Sequence, residues 1–344
     1  MGTRRTSVSR WRAGVVAALV AGSLFASPGV VAGAAGRHGA PEVIASYSDE
    51  IAVEGIAVGT DGTVYVSTLT GGEVWRLEAG GGHTTLGRYQ TGEAFGVLGL
   101  YRYDPTHLLV AVSGSPGSAC NGVYLLDIAA GPGAGPCSGA LVPGTGAMGL
   151  PNAVTVDSAG RIYATDSAAG AVWRAAGPSA PASVWISDPL LAGTGELVGA
   201  PLGANGIDVR GRTVYVAVTE GGRVVAVPIG RNGAAGNPSV VSDDPALAGI
   251  DGLVVGPDRQ LYAVINQQNT LVRISLGGSV TVLATPDQGL EYPGSLTFGP
   301  SGGGRGHGRP RPAVYLTNMS IGELFGLDPV FGPSVMRLDV AGAS

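Results

Sequence analysis

An all-β fold, a six-bladed β-propeller, is predicted by three observations on this 344-residue sequence. One unit of short strands joined by tight turns recurs six times. Its copies follow one another at roughly 40 to 55 residues, the period of a four-stranded blade. Glycine and proline are spread along the chain as punctuation between apolar runs. The 60 glycines keep no three-residue period, which excludes a collagen. A hydrophobic content of 44% and a mean hydropathy of +0.28 exclude a disordered chain and supply a large core.

The chain opens on Arg4, Arg5, Arg10 and Arg12, followed by the apolar run Ala13 to Ala26 and the small residues Ala32-Gly33-Ala34. This order predicts an export signal over residues 1–34 and a secreted propeller over 41–341. No other apolar run approaches the length of a bilayer span, so no membrane span is expected in the mature protein. Val43 to Tyr47 is predicted as the outer strand of the last blade, paired with segments from Ser295 to Leu338 to close the ring.

The first full unit runs Glu54-Gly55-Ile56-Ala57-Val58, turns at Asp61-Gly62, and continues as Val64-Tyr65-Val66-Ser67. After Gly71-Gly72 comes Val74-Trp75-Arg76-Leu77. Asn152-Ala153-Val154, Asn205-Gly206-Ile207 and Asp251-Gly252-Leu253 open three further copies of the same pattern. Phe95-Gly96-Val97-Leu98 and Pro293-Gly294-Ser295-Leu296 open two weaker ones. In the last copy Gly302 to Pro312 swell the first turn into a surface insertion. An isolated meander cannot bury both faces, so six units must pack around an axis. A β-sandwich with a second domain would not explain six units in one register.

All 20 basic side chains are arginine, against 25 acidic ones, for a net charge of −5; loss of the four leader arginines takes it to −9. Such a chain lacks the concentrated positive charge that nucleic acid requires, and a monomer acting on a small molecule is expected. Cys120 and Cys137, the only cysteines, predict one disulfide in an exported protein and exclude a structural zinc site.

In a propeller the inner strands line a central channel, all in one direction, so the residue at the head of each stands at the same mouth. Across the six units that position reads Glu54, Phe95, Asn152, Asn205, Asp251 and Pro293. Two carboxylates and two amides form a hard oxygen set that suits Ca²⁺ or Mg²⁺, with Mn²⁺ after them. Phe95, Tyr292 and Pro293 point to a partly apolar wall of the substrate pocket. Asp61, Asp157 and Asp258, at the far end of the inner strands, read as turn residues.

Val53-Glu54-Gly55, Leu150-Pro151-Asn152, Ala204-Asn205-Gly206 and Ile250-Asp251-Gly252 occur in the order and spacing of a known family. On these residues the chain resembles the senescence-marker-protein/gluconolactonase/luciferin-regenerating-enzyme-like family, over nearly all of its mature length. The resemblance implies one catalytic divalent cation, usually Ca²⁺, and metal-assisted hydrolysis of lactones or phosphoesters. It implies Glu54, Asn205 and Asp251 as direct ligands, Asn152 as a ligand or substrate-orienting group, and Asp251 as nucleophile or general base. The histidine some relatives place at the mouth has no counterpart here, and Arg102 is the nearest candidate for reading substrate hydroxyls. A non-catalytic NHL-like propeller with a structural cation, or a metal-dependent lyase on the same scaffold, are the competing readings.

Overall fold

A computed structural model describes residues 41–92, 96–300, 312–322 and 329–340. The expected leader, Phe95 and residues 302–311 of the insertion lie outside these. The described residues form six four-stranded antiparallel sheets, each in simple sequence order apart from the last. The first blade comprises β2 (Val53–Val58), β3 (Val64–Thr68), β4 (Glu73–Leu77) and β5 (His83–Arg88). The second comprises β6 (Val97–Asp104), β7 (His107–Val112), β8 (Gly122–Asp127) and β9 (Ala140–Leu141). The third to fifth blades open on β10 (Pro151–Val156), β14 (Ala204–Arg210) and β18 (Ile250–Val255). The sixth joins β22 (Pro293–Pro300), β23 (Pro312–Asn318) and β24 (Ser334–Asp339) to β1 (Glu42–Ser46), the first strand among the described residues. Pairs such as Glu42–Arg337 and Ser46–Ser334 close the ring. Among the described residues no helix is long and apolar enough to cross a membrane.

The six inner strands pack on one another in succession, and β22 packs on β2. Their closeness explains a repeated small residue. Each inner strand carries a bulge against its neighbour, between Val53 and Ile56 in β2 and between Ala204 and Ile207 in β14, for example. The residue inside the bulge is Gly55, Gly99, Ala153, Gly206, Gly252 or Ser295. A Cβ on Gly55 would stand 2.2 Å from the Leu98 carbonyl oxygen, and one on Gly252 would stand 2.8 Å from the Ser295 Cα. At Gly55 and Gly252 glycine is therefore required by the approach of the next blade's backbone, while Ala153 and Ser295 keep the position small in the other two blades that lack it.

Where the neighbouring strand offers a hydroxyl, the bulge N–H is satisfied as well. Gly55 donates to Ser67 Oγ at 2.7 Å, and Ser67 donates in turn to the Leu98 carbonyl at 2.6 Å in the next blade. At Gly206 a Cβ would meet Asp251 O at 2.4 Å and Leu253 N at 2.5 Å, both backbone. Gly206→Ala should therefore cost about 3 kcal/mol in urea unfolding. A loss below about 1 kcal/mol would mean that the inner strands separate easily.

Cys120 and Cys137 form the expected disulfide. Tyr89 bridges to Cys137 and the Gln90 N–H donates to the Pro136 carbonyl at 2.9 Å. The cross-link thus ties the loop between β7 and β8 to the loop between β8 and β9, and Tyr89 and Gln90 of the connection entering the blade hydrogen-bond beside it. A closure of 17 positions stabilises by about 3 kcal/mol.

Candidate functional site

One backbone hydrogen bond per blade fixes which residues are equivalent at the channel mouth. Leu69 N–H donates to Ala52 O, Ser113 to Gly96, Ser167 to Leu150, Thr219 to Gly203, Asn266 to Gly249 and Met319 to Tyr292. Two positions beyond each acceptor stand Glu54, Leu98, Asn152, Asn205, Asp251 and Gly294. The four expected oxygen donors share the register, and all four line one axial cavity of about 90 Å³.

In two blades the register read from sequence is corrected. Leu98, three positions beyond Phe95, and Gly294, one beyond Pro293, hold the equivalent places. The second blade carries no polar residue to mark its head. In the sixth, Tyr292 takes a left-handed backbone (φ 45°) with its N–H held by Asn269 Oδ1 at 2.7 Å, which places Gly294 in the register. Of the expected wall residues, Phe95 lies outside the described residues, Tyr292 is half-buried and Pro293 is buried. Gly294 and Ser295 line the axial cavity at this blade.

A second ring of residues stands behind the first, at the end of each blade's second strand: Leu69, Ser113, Ser167, Thr219, Asn266 and Met319. It sets the orientation of the donors. The Ser167 hydroxyl donates to the Ala204 carbonyl at 2.7 Å, so toward Asn152 it can only accept. Asn152 must then turn Nδ2 to it, at 3.0 Å, and keep its amide oxygen for other partners. Asn205 Nδ2 donates to Thr219 Oγ1 at 2.9 Å, and the Asn205 side chain also donates to Asp251. Asn266 Nδ2 lies 3.5 Å from Asp251 Oδ2.

Behind Glu54 the equivalent residue is Leu69, which offers no donor. Glu54 Oε2 is accordingly buried with no hydrogen-bond partner. Burial first, and the charge of Asp251 second, push the Glu54 carboxyl well above its ordinary range. Burial likewise raises Asp251 to about 7, with the Asn205 hydrogen bond pulling the other way. An orphaned buried carboxylate oxygen beside a second carboxylate, among oriented amides, fits a divalent cation. Among the described residues no three His, Cys, Asp or Glu side chains cluster for a metal, so such a site depends on the two amides.

Below the mouth lies a charge that the repeat pattern did not single out. Asp208 accepts from Thr155 Oγ1 at 3.0 Å and from the Val255 N–H at 2.7 Å, lacing the third, fourth and fifth blades together. Its signal is an acidic residue interrupting an inner strand where the other copies read Ala57, Tyr101, Thr155, Val254 or Thr297. Asp61, Asp157 and Asp258 do serve their turns: Asp61 accepts from the Thr63 N–H and Asp258 from the Gln260 N–H, both at 3.1 Å. Asp157 accepts from the Ala159 N–H at 2.9 Å.

Arg102 stands at the far end of its inner strand, where its Nε donates to the Asp104 carbonyl at 2.6 Å and its guanidinium lies over the Tyr65 ring. It cannot read a substrate at the mouth. His83 stacks on Trp75, and His107 pairs with Asp104 at the far end of the second blade.

Two carboxylates hold the mouth connections. Glu220 accepts four backbone N–H groups, from Thr194, Gly195, Leu197 and Leu202. Glu291 accepts from Val330, Phe331 and Gly332 N–H groups and from Ser320 Oγ. Burial alone would raise both carboxyls, but these bonds bring each below its ordinary 4.5. A depressed folded value contributes stability that is present above the unfolded value and lost as pH falls through the folded one. Glu220→Gln should therefore cost about 2 kcal/mol in urea unfolding at neutral pH and flatten the loss of stability below about pH 4.5. An unchanged acid slope would assign that loss to other carboxylates.

No protein-family model and no curated protein matches the sequence. Solved structures do match. A calcium-binding protein, regucalcin, from Agrobacterium tumefaciens superposes with a TM-score of 0.62 at 16% identity, covering 88% of this chain and 95% of that one. A luciferin-regenerating enzyme gives 0.61 at 14% identity, covering 88% and 96%. Virginiamycin B lyase from Staphylococcus aureus, in a catalytically inactive histidine-to-alanine form with quinupristin, gives 0.55 at 12% identity, covering 88% and 99%. These likenesses bear out the six-bladed propeller and, at the level of fold, the family resemblance read from the sequence.

Proposed function

We propose that this is a secreted metal-dependent hydrolase that opens lactones or related esters, with one divalent cation, Ca²⁺ before Mg²⁺ or Mn²⁺, held by Glu54, Asn152, Asn205 and Asp251. The observation that carries this reading is the buried, unpartnered Glu54 Oε2 beside Asp251 and two oriented amides. When bound, the cation supplies polarisation of a carbonyl and stabilisation of the oxyanion formed on attack. Asp251 takes the proton of the attacking water onto its carboxylate. Asn205 and Asn266 orient that carboxylate, and Ser167 fixes the Asn152 amide so that its oxygen is available to cation or substrate. The disulfide is compatible with an oxidising compartment, in keeping with the expected export signal.

The likeness to virginiamycin B lyase raises elimination as a second reading. The inactive form of that enzyme lacks a histidine, whereas His83 and His107, the described histidines here, stand away from the mouth. Hydrolysis is the better match to a mouth whose described donors are carboxylates, amides and hydroxyls.

The test is turnover of a lactone and ester panel by purified protein, with EDTA and then with Ca²⁺ restored. Activity should vanish with the chelator and return with the ion, and the products of each substrate should together gain one water. Products isomeric with substrate would establish elimination. A melting temperature that depends on Ca²⁺ without turnover on any substrate would establish the non-catalytic propeller.

A further inference from the structure

We propose that the protein carries a second ligand site at the end opposite the mouth: a polar pocket on the fifth blade that takes an uncharged, polyhydroxylated ligand, a saccharide unit. Asp258, Gln260, Arg273, Ser275, Ser279 and Thr281 line it, and it encloses about 360 Å³, within the range of small-ligand sites. The proposal goes beyond the hydrolytic reading and does not depend on it.

The strand pattern builds the pocket. In the fifth blade β19 (Leu261–Ile265), β20 (Thr270–Ile274) and β21 (Val280–Ala284) lie side by side, with Tyr262 opposite Arg273 and Arg273 opposite Thr281. Side chains alternate along a strand, so these three share a face with Val264, Leu271 and Leu283. The mouth-side half of that face is apolar and packs on Leu296, Val314 and Leu316 of the sixth blade. Tyr262 marks the border, 1% exposed and edge-on to Phe298 at 5.0 Å. Beyond it the same face turns polar, with Gln260, Ser275 and Ser279 two positions past Tyr262, Arg273 and Thr281.

Comparison between blades shows why this pocket is open. Four blades pair a tyrosine of the second strand with an arginine of the third: Tyr65–Arg76, Tyr163–Arg174, Tyr262–Arg273 and Tyr315–Arg337. Arg76 pairs with Glu78 and Arg337 with Glu42. Arg174 donates to the Gly233 carbonyl, in the hairpin that joins β16 (Arg223–Pro228) to β17 (Ser239–Ser242) of the next blade. That hairpin closes over the third blade: Trp185 Nε1 donates to the same carbonyl at 2.9 Å, and a Cβ on Gly233 would stand 2.9 Å from Arg174 Nη1. The blade after the fifth is the sixth, whose third and fourth strands, β24 and β1, are not consecutive in the chain. No hairpin of this kind therefore covers the fifth blade. Among the described residues the Arg273 guanidinium faces the Tyr262 hydroxyl, which leaves further N–H groups for a ligand.

The lining selects the ligand. Asp258 accepts from the Tyr262 hydroxyl at 3.0 Å and from the Gln260 N–H at 3.1 Å, so its carboxylate is fixed with lone pairs to spare. The Ser279 N–H donates to Ser275 Oγ at 3.0 Å, which frees the Ser275 hydroxyl proton to donate outward. One cation and one anion cancel, which favours neither a polyanion nor a cation, and the described lining offers no apolar wall to a lipophilic ligand. A zwitterionic amino acid would engage Arg273 and Asp258 and leave the three hydroxyls unmatched. Vicinal hydroxyl groups, each both donor and acceptor, match the whole set. A glycan held here leaves the channel mouth free.

The experiment titrates isotope-labelled full-length protein with glucose, cellobiose and chitobiose, and follows the Arg273 Nε–H and Gln260 side-chain amide resonances. At least one sugar should move both resonances saturably. Arg273→Ala should weaken that binding about tenfold or more, and Gln260→Ala about threefold to tenfold. Asp251→Asn, at the mouth, should leave it unchanged. Ser279→Trp, at an exposed position on the rim, blocks the pocket and reads the same loss if Arg273→Ala does not fold. No movement with any of the three sugars overturns the proposal, as does binding that survives both Arg273→Ala and Ser279→Trp. Tighter binding of glycine or of inorganic phosphate would make this a zwitterion or anion site and overturn the ligand class. Lactone turnover should be equal in Arg273→Ala and wild type, so a protein that opens no lactone leaves this result standing.

Discussion

Asp251→Asn should lower kcat/KM on lactones by about 10² to 10⁴-fold while leaving the propeller folded. The substitution keeps volume and shape in a side chain that is 9% exposed, so packing is preserved. It removes the proton acceptor from the reaction and one of two negative charges from the proposed cation site. It also replaces an acceptor of the Asn205 hydrogen bond with a group that must compete for it. Two losses therefore fall on one residue, and they separate by concentration. Raising Ca²⁺ should restore occupancy and recover little rate, because the missing base is not replaced by the ion. Recovery to wild-type rate at saturating Ca²⁺ would reduce Asp251 to a ligand and move the proton transfer elsewhere.

The propeller was legible because its strands repeat, and a pattern met six times survives weak copies. The ring closure was legible for the same reason: Val43 to Tyr47 had no partner within the first unit. The four donors were legible because each stands at the head of an inner strand in a repeated unit, and the structure adds a cause for the Gly or Ala that follows each one. The bulge that turns Glu54, Asn152, Asn205 or Asp251 to the axis brings the next residue against the neighbouring backbone. Where the donor was replaced by an apolar residue, the same bulge left no chemical mark. Leu98 reads like any strand leucine, and Phe95 drew the alignment three residues away. Gly294 was passed over for Pro293 because its side-chain space is filled by Met319, 25 positions on. The second ring is hidden from sequence in the same way. Ser167, Thr219 and Asn266 orient the donors from the ends of other strands, and only strand pairing brings them near.

Leu69, the one apolar member of that ring behind a polar donor, leads to the sharpest stability prediction. Glu54→Gln should invert the order of stability between metal-free and metal-loaded protein. Without a cation, the Glu54 carboxylate is 5% exposed, has an unpartnered Oε2 and faces Asp251. A glutamine of equal size ends the repulsion and brings an N–H₂ group that can donate to Asp251, so the variant should be more stable in EDTA by about 1 to 3 kcal/mol. The difference has a pH signature. Because burial and Asp251 raise the Glu54 carboxyl above its ordinary 4.5, the wild-type handicap should open as pH climbs past that value and level off once Glu54 is ionised in the folded state. With Ca²⁺ the order should reverse. The wild-type protein gains about 2.7 kcal/mol at a hundredfold excess over Kd, and a site stripped of one carboxylate gains far less at the same concentration. Urea unfolding of both proteins in EDTA and in Ca²⁺, across pH, reads all of this in one series. A variant less stable than wild type in both media would show that Glu54 is held by a protein donor in solution, and the case for a cation at the head of this channel would fall with it.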